Sequence, residues 1–313
     1  MQVREGKASV GGQERSDRGN GPGELQIHYE DMGDPGDPAV LLIMGLGAQL
    51  TFWREDFCRK LVDQGLRVIR YDNRDVGLST YFDGHRTKGS QVANMARSLI
   101  GRPSPALYTL EDMADDAAAL LDHLDIDQAH IVGGSMGGMI AQIVAARHAE
   151  RTKTLGVIFS SNNQAFLPPP GPRQLLAVIT GPSPSSPREV IIENSIKVSK
   201  IIGSPGYPST EEKLRADAIA FYERSYYPQG IARQFNAITG SGSLLHYNKQ
   251  TTAPTVVIHG KADKLMRPSG GKAIAKAIPN ARLVLYDGMG HELPEPLWDD
   301  VVGELKTTFA ERP

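Results

Sequence analysis

The segment Gly133-Gly134-Ser135-Met136-Gly137 holds a serine in the pattern Gly-x-Ser-x-Gly. A serine hydroxyl is a weak nucleophile on its own. It does chemistry only where a general base can take its proton and a carboxylate can orient that base. Two residues further along supply those types in the order serine, acid, histidine: Asp263 after His259-Gly260-Lys261-Ala262, and His291 after Asp287-Gly288-Met289-Gly290. Such a set could run acyl transfer through a covalent intermediate, and its oxyanion would need backbone donors. The amide of Met136, directly after the serine, is one candidate. The amide of Leu46 in Met44-Gly45-Leu46-Gly47 is the other.

Rival readings of these residues fit less well. A dinucleotide fingerprint needs glycine where Ser135 stands, so that a pyrophosphate can approach the backbone. Ser269-Gly270-Gly271-Lys272 fits Ser-x-x-Lys but has none of the companion motifs. Asp287 lies in the same loop as His291, too local to reach its imidazole, and Ser160-Ser161-Asn162-Asn163 holds no carboxylate. Among the other histidines, His28, His123, His130 and His259 fall in or beside strands or helices and read as structural or solvated. His85, His148 and His246 have no strand-end context.

Positioning the three groups requires a scaffold, and the chain shows one. Val40–Met44, Arg67–Tyr71, Ala129–Val132, Leu155–Phe159, Thr255–Ile258 and Arg282–Leu285 are short runs between turns, several of them apolar on both faces, as in a covered parallel sheet. Ser135, Asp263 and His291 each follow such a run, at the strand ends where open parallel sheets gather their catalytic groups. Leu25, Ile27 and Tyr29 alternate as a half-buried strand does. Thr109 with Asp112 forms a capping box for a helix whose inner side carries Leu110, Met113, Leu120, Leu121 and Leu124. Asp115 and Asp116 fall opposite that stripe and read as a solvated face.

The alternation of strands and helices breaks between 161 and 253, which holds ten of the 21 prolines and reads as several helices without a strand. It looks inserted. Within and just after its helical stretch Glu211–Tyr227 lie Phe221, Tyr222, Tyr226, Tyr227 and Phe235, either packing on the main domain or walling an apolar pocket. Residues 1–24 carry only Met1, Val3, Ala8 and Val10 as apolar side chains and read as a flexible arm.

Composition narrows the partners. The 313 residues include 34 Lys and Arg against 36 Asp and Glu, which leaves no basic field for nucleic acid. Cys58 is the only cysteine, so no internal disulfide is possible. No stretch is long and apolar enough to span a bilayer, and the start Met-Gln-Val-Arg-Glu-Gly-Lys lacks the apolar run of a secretory signal. A cytoplasmic location is the expectation. Homo-oligomerisation is left open.

With these residues in place, the chain resembles the α/β-hydrolase family over residues 25–310. Four ordered motifs carry the likeness: Met44-Gly45-Leu46-Gly47, Asp72-Asn73-Arg74-Asp75-Val76-Gly77-Leu78-Ser79, the turn at Ser135, and the pair Asp263 and His291. The resemblance implies an α/β class fold, a doubly wound, mostly parallel sheet with a helical cap inserted after the sixth strand. It also implies a Ser135-His291-Asp263 triad with the amides of Leu46 and Met136 as oxyanion hole. The expected division is a flexible arm (1–24), a core (25–160 and 254–313) and a cap (161–253).

Two departures from the common family pattern refine the placement. Met44-Gly45 stands where many relatives have His-Gly, and Asp75 where many have glycine; both resemble the branch that includes aclacinomycin methylesterase and related bacterial carboxylesterases. The activity implied is hydrolysis of a small-molecule carboxylic ester through an acyl-enzyme, with no cofactor and no metal. Thioesterases, perhydrolases and carbon–carbon bond hydrolases use the same triad, although the last commonly carry Trp after the histidine, where this chain has Glu292. A binding or receptor protein that keeps the fold without turnover is a further alternative.

Overall fold

The structure, a computed structural model, describes residues 2–11, 24–85 and 91–312. Eight strands form one sheet: β1 (Val3–Ser9), β2 (Gln26–Met32), β3 (Ala39–Ile43), β4 (Arg67–Tyr71), β5 (Ala129–Gly134), β6 (Thr152–Ile158), β7 (Thr255–Gly260) and β8 (Arg282–Tyr286). Their order across the sheet is β1-β2-β4-β3-β5-β6-β7-β8. The β1–β2 and β2–β4 pairs are antiparallel, and every later pair is parallel.

The helices are α1 (Glu55–Val62), α2 (Gln91–Leu99), α3 (Leu110–His123), α4 (Met136–Arg147), α5 (Pro172–Ile179), α6 (Arg188–Ile202), α7 (Glu211–Arg224), α8 (Pro228–Ser241), α9 (Leu245–Gln250), α10 (Pro268–Ala277) and α11 (Trp298–Phe309). They cover both faces of the sheet, which is why β3, β4, β5 and β7 can bury every residue. On one face Leu110, Met113 and Leu121 of α3 and Met139, Ile140 and Ile143 of α4 pack against strand residues such as Leu41 and Ile131. On the other, Phe57 and Leu61 of α1 and Trp298, Val301 and Leu305 of α11 pack against Leu42, Val132 and Ile258. Thr109 caps α3 as expected: its hydroxyl accepts from the Asp112 amide, and the Asp112 carboxylate accepts from the Thr109 amide at 2.9 Å.

Two expectations are corrected. Residues 3–9 are not a loose arm but an edge strand, paired antiparallel along its whole length with β2. Ala8 and Val10 are buried, and the Val10 amide donates to the Leu25 carbonyl at 2.8 Å, so few apolar groups suffice once backbone pairing and Arg4–Asp31 contacts join them. The rest of that expected arm, 12–23, lies outside the described residues. Asp116, read as solvated, is buried and held by two hydrogen bonds of 2.6 Å from Arg74, whereas Asp115 meets His148 at 2.9 Å.

Helices α5 to α9 follow one another between β6 and β7, with no strand among them. Among the described residues no helix is long and apolar enough to cross a membrane.

Candidate active site

Ser135 sits between β5 and α4 with φ 55° and ψ −121°, a conformation that L residues seldom adopt. The turn closes only because two glycines let backbones touch. A Cβ on Gly133 would lie 2.1 Å from the Gly137 carbonyl oxygen, and one on Gly137 would lie 2.2 Å from that of Ile43. The turn is then tied down, since the Ser135 amide donates to the Ile158 carbonyl at 3.0 Å and the Ser160 hydroxyl donates to the Ser135 carbonyl at 2.6 Å.

The loops after β7 and β8 bring Asp263 and His291 to that turn. His291 Nε2 is 2.9 Å from Ser135 Oγ, and His291 Nδ1 is 2.8 Å from Asp263 Oδ2. A carboxylate only accepts, so the proton of the neutral imidazole belongs on Nδ1, and the Nε2 lone pair faces the Ser135 hydroxyl. Asp263 Oδ1 accepts from the amides of Leu265 and Met266, both at 2.9 Å, which fixes the carboxylate from behind. Burial would raise the Asp263 carboxyl, but the charge of His291 and hydrogen bonds from His259 and His291 outweigh it and hold it down at about 2.

His259 is a participant that its place inside β7 concealed. Its Nε2 is 2.6 Å from the Met266 carbonyl oxygen and 3.4 Å from Asp263 Oδ2, so Nε2 carries the proton and faces the acid. No spacing rule marks it; only the fold shows that a strand residue four positions before the acid turns back onto it. Phe159 was hidden in the same way. It packs its ring 5.0 Å from that of His291, and its own φ is 38°.

The loop at 44–47 passes over the serine so closely that a Cβ on Gly45 would lie 3.1 Å from Ser135 Cβ. The Met136 amide belongs to the first turn of α4, where no carbonyl of the helix can reach it. Ser135, Met136, Leu46 and His291 all line one cavity of about 1700 Å³ beneath the α5–α9 segment. Phe221, Tyr226 and Phe235 line it as well. Tyr222 and Tyr227 are not among its lining residues: Tyr227 stacks on Tyr81 at 3.9 Å between ring centroids and meets Asp83 and Arg233, and Tyr222 packs against Tyr226 beneath Arg188. Aromatic composition alone could not tell wall from packing.

Asp287 is exposed and paired with Lys261 at 3.1 Å, turned away from His291. Among the described residues, the group of histidine and carboxylates with metal-like spacing is Glu5, His28 and Glu30 on β1 and β2. Glu30 there is already bound by Arg70 at 2.9 and 2.5 Å.

Comparison with known proteins agrees with this architecture. The sequence signature described as the alpha/beta hydrolase fold matches residues 38–180. The chain has the α/β-hydrolase fold. Rhodomycin D methylesterase DnrP of Streptomyces peucetius is 28% identical over 296 residues, covering 88% of this chain and 93% of that one. A 2-hydroxy-6-oxononadienedioate/2-hydroxy-6-oxononatrienedioate hydrolase of Cupriavidus pinatubonensis is 27% identical, covering 87% and 86%. Among solved structures, the 2-hydroxy-6-oxo-6-phenylhexa-2,4-dienoate hydrolase of Rhodococcus sp. strain RHA1 superposes with a TM-score of 0.70 at 19% identity, covering 99% of this chain and 100% of that one, which bears on the fold.

Proposed function

We propose that this protein cleaves carboxylic esters of small molecules through an acyl-enzyme on Ser135. The observation that carries the reading is the unbroken line of hydrogen bonds from Ser135 through His291 to Asp263, opening on the cavity. The likeness to a methylesterase over most of both chains favours ester over other acyl substrates. His291 Nε2 takes the Ser135 proton as Oγ attacks the ester carbonyl, and Asp263 stabilises the imidazolium that forms. The carbonyl oxygen, becoming an oxyanion, is met by the amides of Leu46 and Met136, each worth about 3 kcal/mol of barrier. His291 then protonates the leaving alkoxide, the alcohol departs, and water activated by the same imidazole releases the acid.

In this reading residues 161–253 form a cap over the core of 25–160 and 254–313, and the substrate enters between them. Turnover of short p-nitrophenyl esters is the direct test. Ser135→Ala should abolish it, and equal activity in the two proteins would overturn the assignment.

Hydrolysis of a carbon–carbon bond is the second reading, favoured by the relative from Cupriavidus pinatubonensis. Glu292 stands against it: instead of a Trp beside the histidine, its carboxylate accepts from the Ser204 amide at 2.6 Å, tying the His291 loop to the segment after α6. Faster turnover of a 2-hydroxy-6-oxo-dienoate than of any ester would reverse the preference.

A further inference from the structure

The loop Met44–Gly47 has to hold the Leu46 amide at one place over Ser135, yet a glycine-bracketed loop has little stiffness of its own. Its two ends are fixed by side chains from different parts of the molecule. At the first, Asn73 Nδ2 donates to the Met44 carbonyl at 2.8 Å. At the second, the Gly47 amide donates to Gln234 Oε1 at 2.8 Å, and Gln234 comes from α8, 187 residues away in sequence.

Gln234 is completely buried. Its Nε2 donates to the Arg74 carbonyl at 2.8 Å, so one end of the amide meets a donor and the other an acceptor. Only one orientation of the side chain satisfies both. Around it α8 is pinned. Neighbouring Arg233 grips Asp75 with two hydrogen bonds of 2.7 and 2.8 Å, and Ile231 lies against Gly47 so closely that a Cβ there would be 2.8 Å from Ile231 Cγ1. Gly47 itself has φ 65°, which suits glycine and leaves the loop direction to be set from outside.

We infer that Gln234 is a positioning residue for the oxyanion loop: by holding the Gly47 amide and the Arg74 carbonyl together, it aims the Leu46 amide at the developing oxyanion. Ester chemistry at Ser135 thereby depends on a side chain of α8 that is not among the cavity-lining residues. This rests on the ester-hydrolase reading above.

The test compares a carboxylic ester with the matching thionoester, in which sulfur replaces the carbonyl oxygen. Sulfur is a weak hydrogen-bond acceptor and larger than oxygen, so a well-aimed amide speeds the ester far more than the thionoester. Gln234→Leu should lower kcat on the ester roughly 10- to 100-fold, the scale of a misplaced donor, with KM within about threefold of wild type. The same variant should lose much less on the thionoester, so the ester-to-thionoester ratio falls. Gln234→Glu keeps the length and the acceptor for Gly47, and should retain more of that ratio; it also serves as the test if Gln234→Leu does not fold. An unchanged ratio in the folded variant, with kcat lowered equally on both substrates, would mean only loosened packing and would overturn the proposal. Ser135→Ala separates the two levels: if it is as active as wild type, the catalytic reading itself falls, whereas an inactive Ser135→Ala beside an unchanged ratio removes only the role of Gln234.

Discussion

Strands β3, β4, β5 and β7 bury every one of their residues, whereas α5 buries none and α7 only Ala218. The loops that follow β3, β5 and β7 border the same cavity as α5 and α7, but different forces hold the two regions. The sheet is fixed by apolar side chains on two faces, and a fully buried Leu or Ile contributes about 2 kcal/mol relative to its exposed state. The α5–α9 segment joins the apolar core mainly through α8 and the turn after it, at Ala237 and Leu244, and it is otherwise tied down by buried polar contacts: Arg224 to Asp72 at 2.8 Å, Arg233 to Asp75, and Gln234 to the backbone of residues 47 and 74. Diffuse burial tolerates small losses. Buried ion pairs and paired amides do not, because removing one partner strands the other without water.

The largest effect should come from the sheet side. Asp263→Asn keeps the shape of the acid but can donate to His291, favouring the wrong imidazole tautomer, and kcat on an ester substrate should fall about 10⁴-fold. Steady-state kinetics on folded protein checks it. A loss below tenfold would mean that the backbone around Asp263, rather than its charge, organises the site.

On the other side, Arg233→Met should cost about 3 kcal/mol of unfolding free energy, read by denaturant titration, because among the described residues it leaves the fully buried Asp75 carboxylate with only Tyr108 and the Phe82 amide. Loss of less than 1 kcal/mol would show that the polar attachment of α8 is dispensable, and the contrast between the two regions would fail. Restoring stability with Asp75→Asn in the Arg233→Met background would locate the cost in the unpaired charge.

Acid should act on Asp263 in a defined window. Asp263 has a folded value of about 2, below that of an ordinary carboxylate near 4, so its ionised form favours folding. That contribution is complete above about pH 5, and disappears as pH falls from about 4 towards 2. It amounts to about 2 kcal/mol, so thermal unfolding of wild type should lose its advantage over Asp263→Asn across that interval and not above it.

How much of this the sequence disclosed follows the same division. Ser135, Asp263 and His291 could be picked out because glycine-bounded turns after apolar runs are local signals, and the covered strands were visible as runs apolar on both faces. The polar attachments were not visible. Arg74 and Asp116 are 42 residues apart and Arg233 and Asp75 are 158 apart, and no periodicity relates such partners. Edge strand β1 was missed for a related reason: Glu5 and Lys7 are exposed, and its stability comes from pairing with β2. Of the five aromatic residues picked for the pocket, Phe221, Tyr226 and Phe235 reach it. Phe235→Ala should therefore raise KM roughly tenfold for a bulky ester while leaving a short acetyl ester nearly unchanged. Equal change on both would place Phe235 in packing.

The smallest effect sharpens the comparison most, because it changes burial and keeps the chemistry. Arg215 on α7 meets two carboxylates of α6, Glu189 and Glu193, as Arg233 meets the two oxygens of Asp75. Its side chain is 42% exposed, against 9% for Arg233. Water solvates either partner when the exposed pair is broken, and the cost of holding long side chains together offsets the attraction. Arg215→Ala should thus leave the midpoint of thermal unfolding unchanged at physiological salt, while Arg233→Met lowers it. A loss at Arg215 as large as that at Arg233 would mean that α6 and α7 depend on their surface ion pairs, and that the lightly buried part of the segment is held by charge throughout.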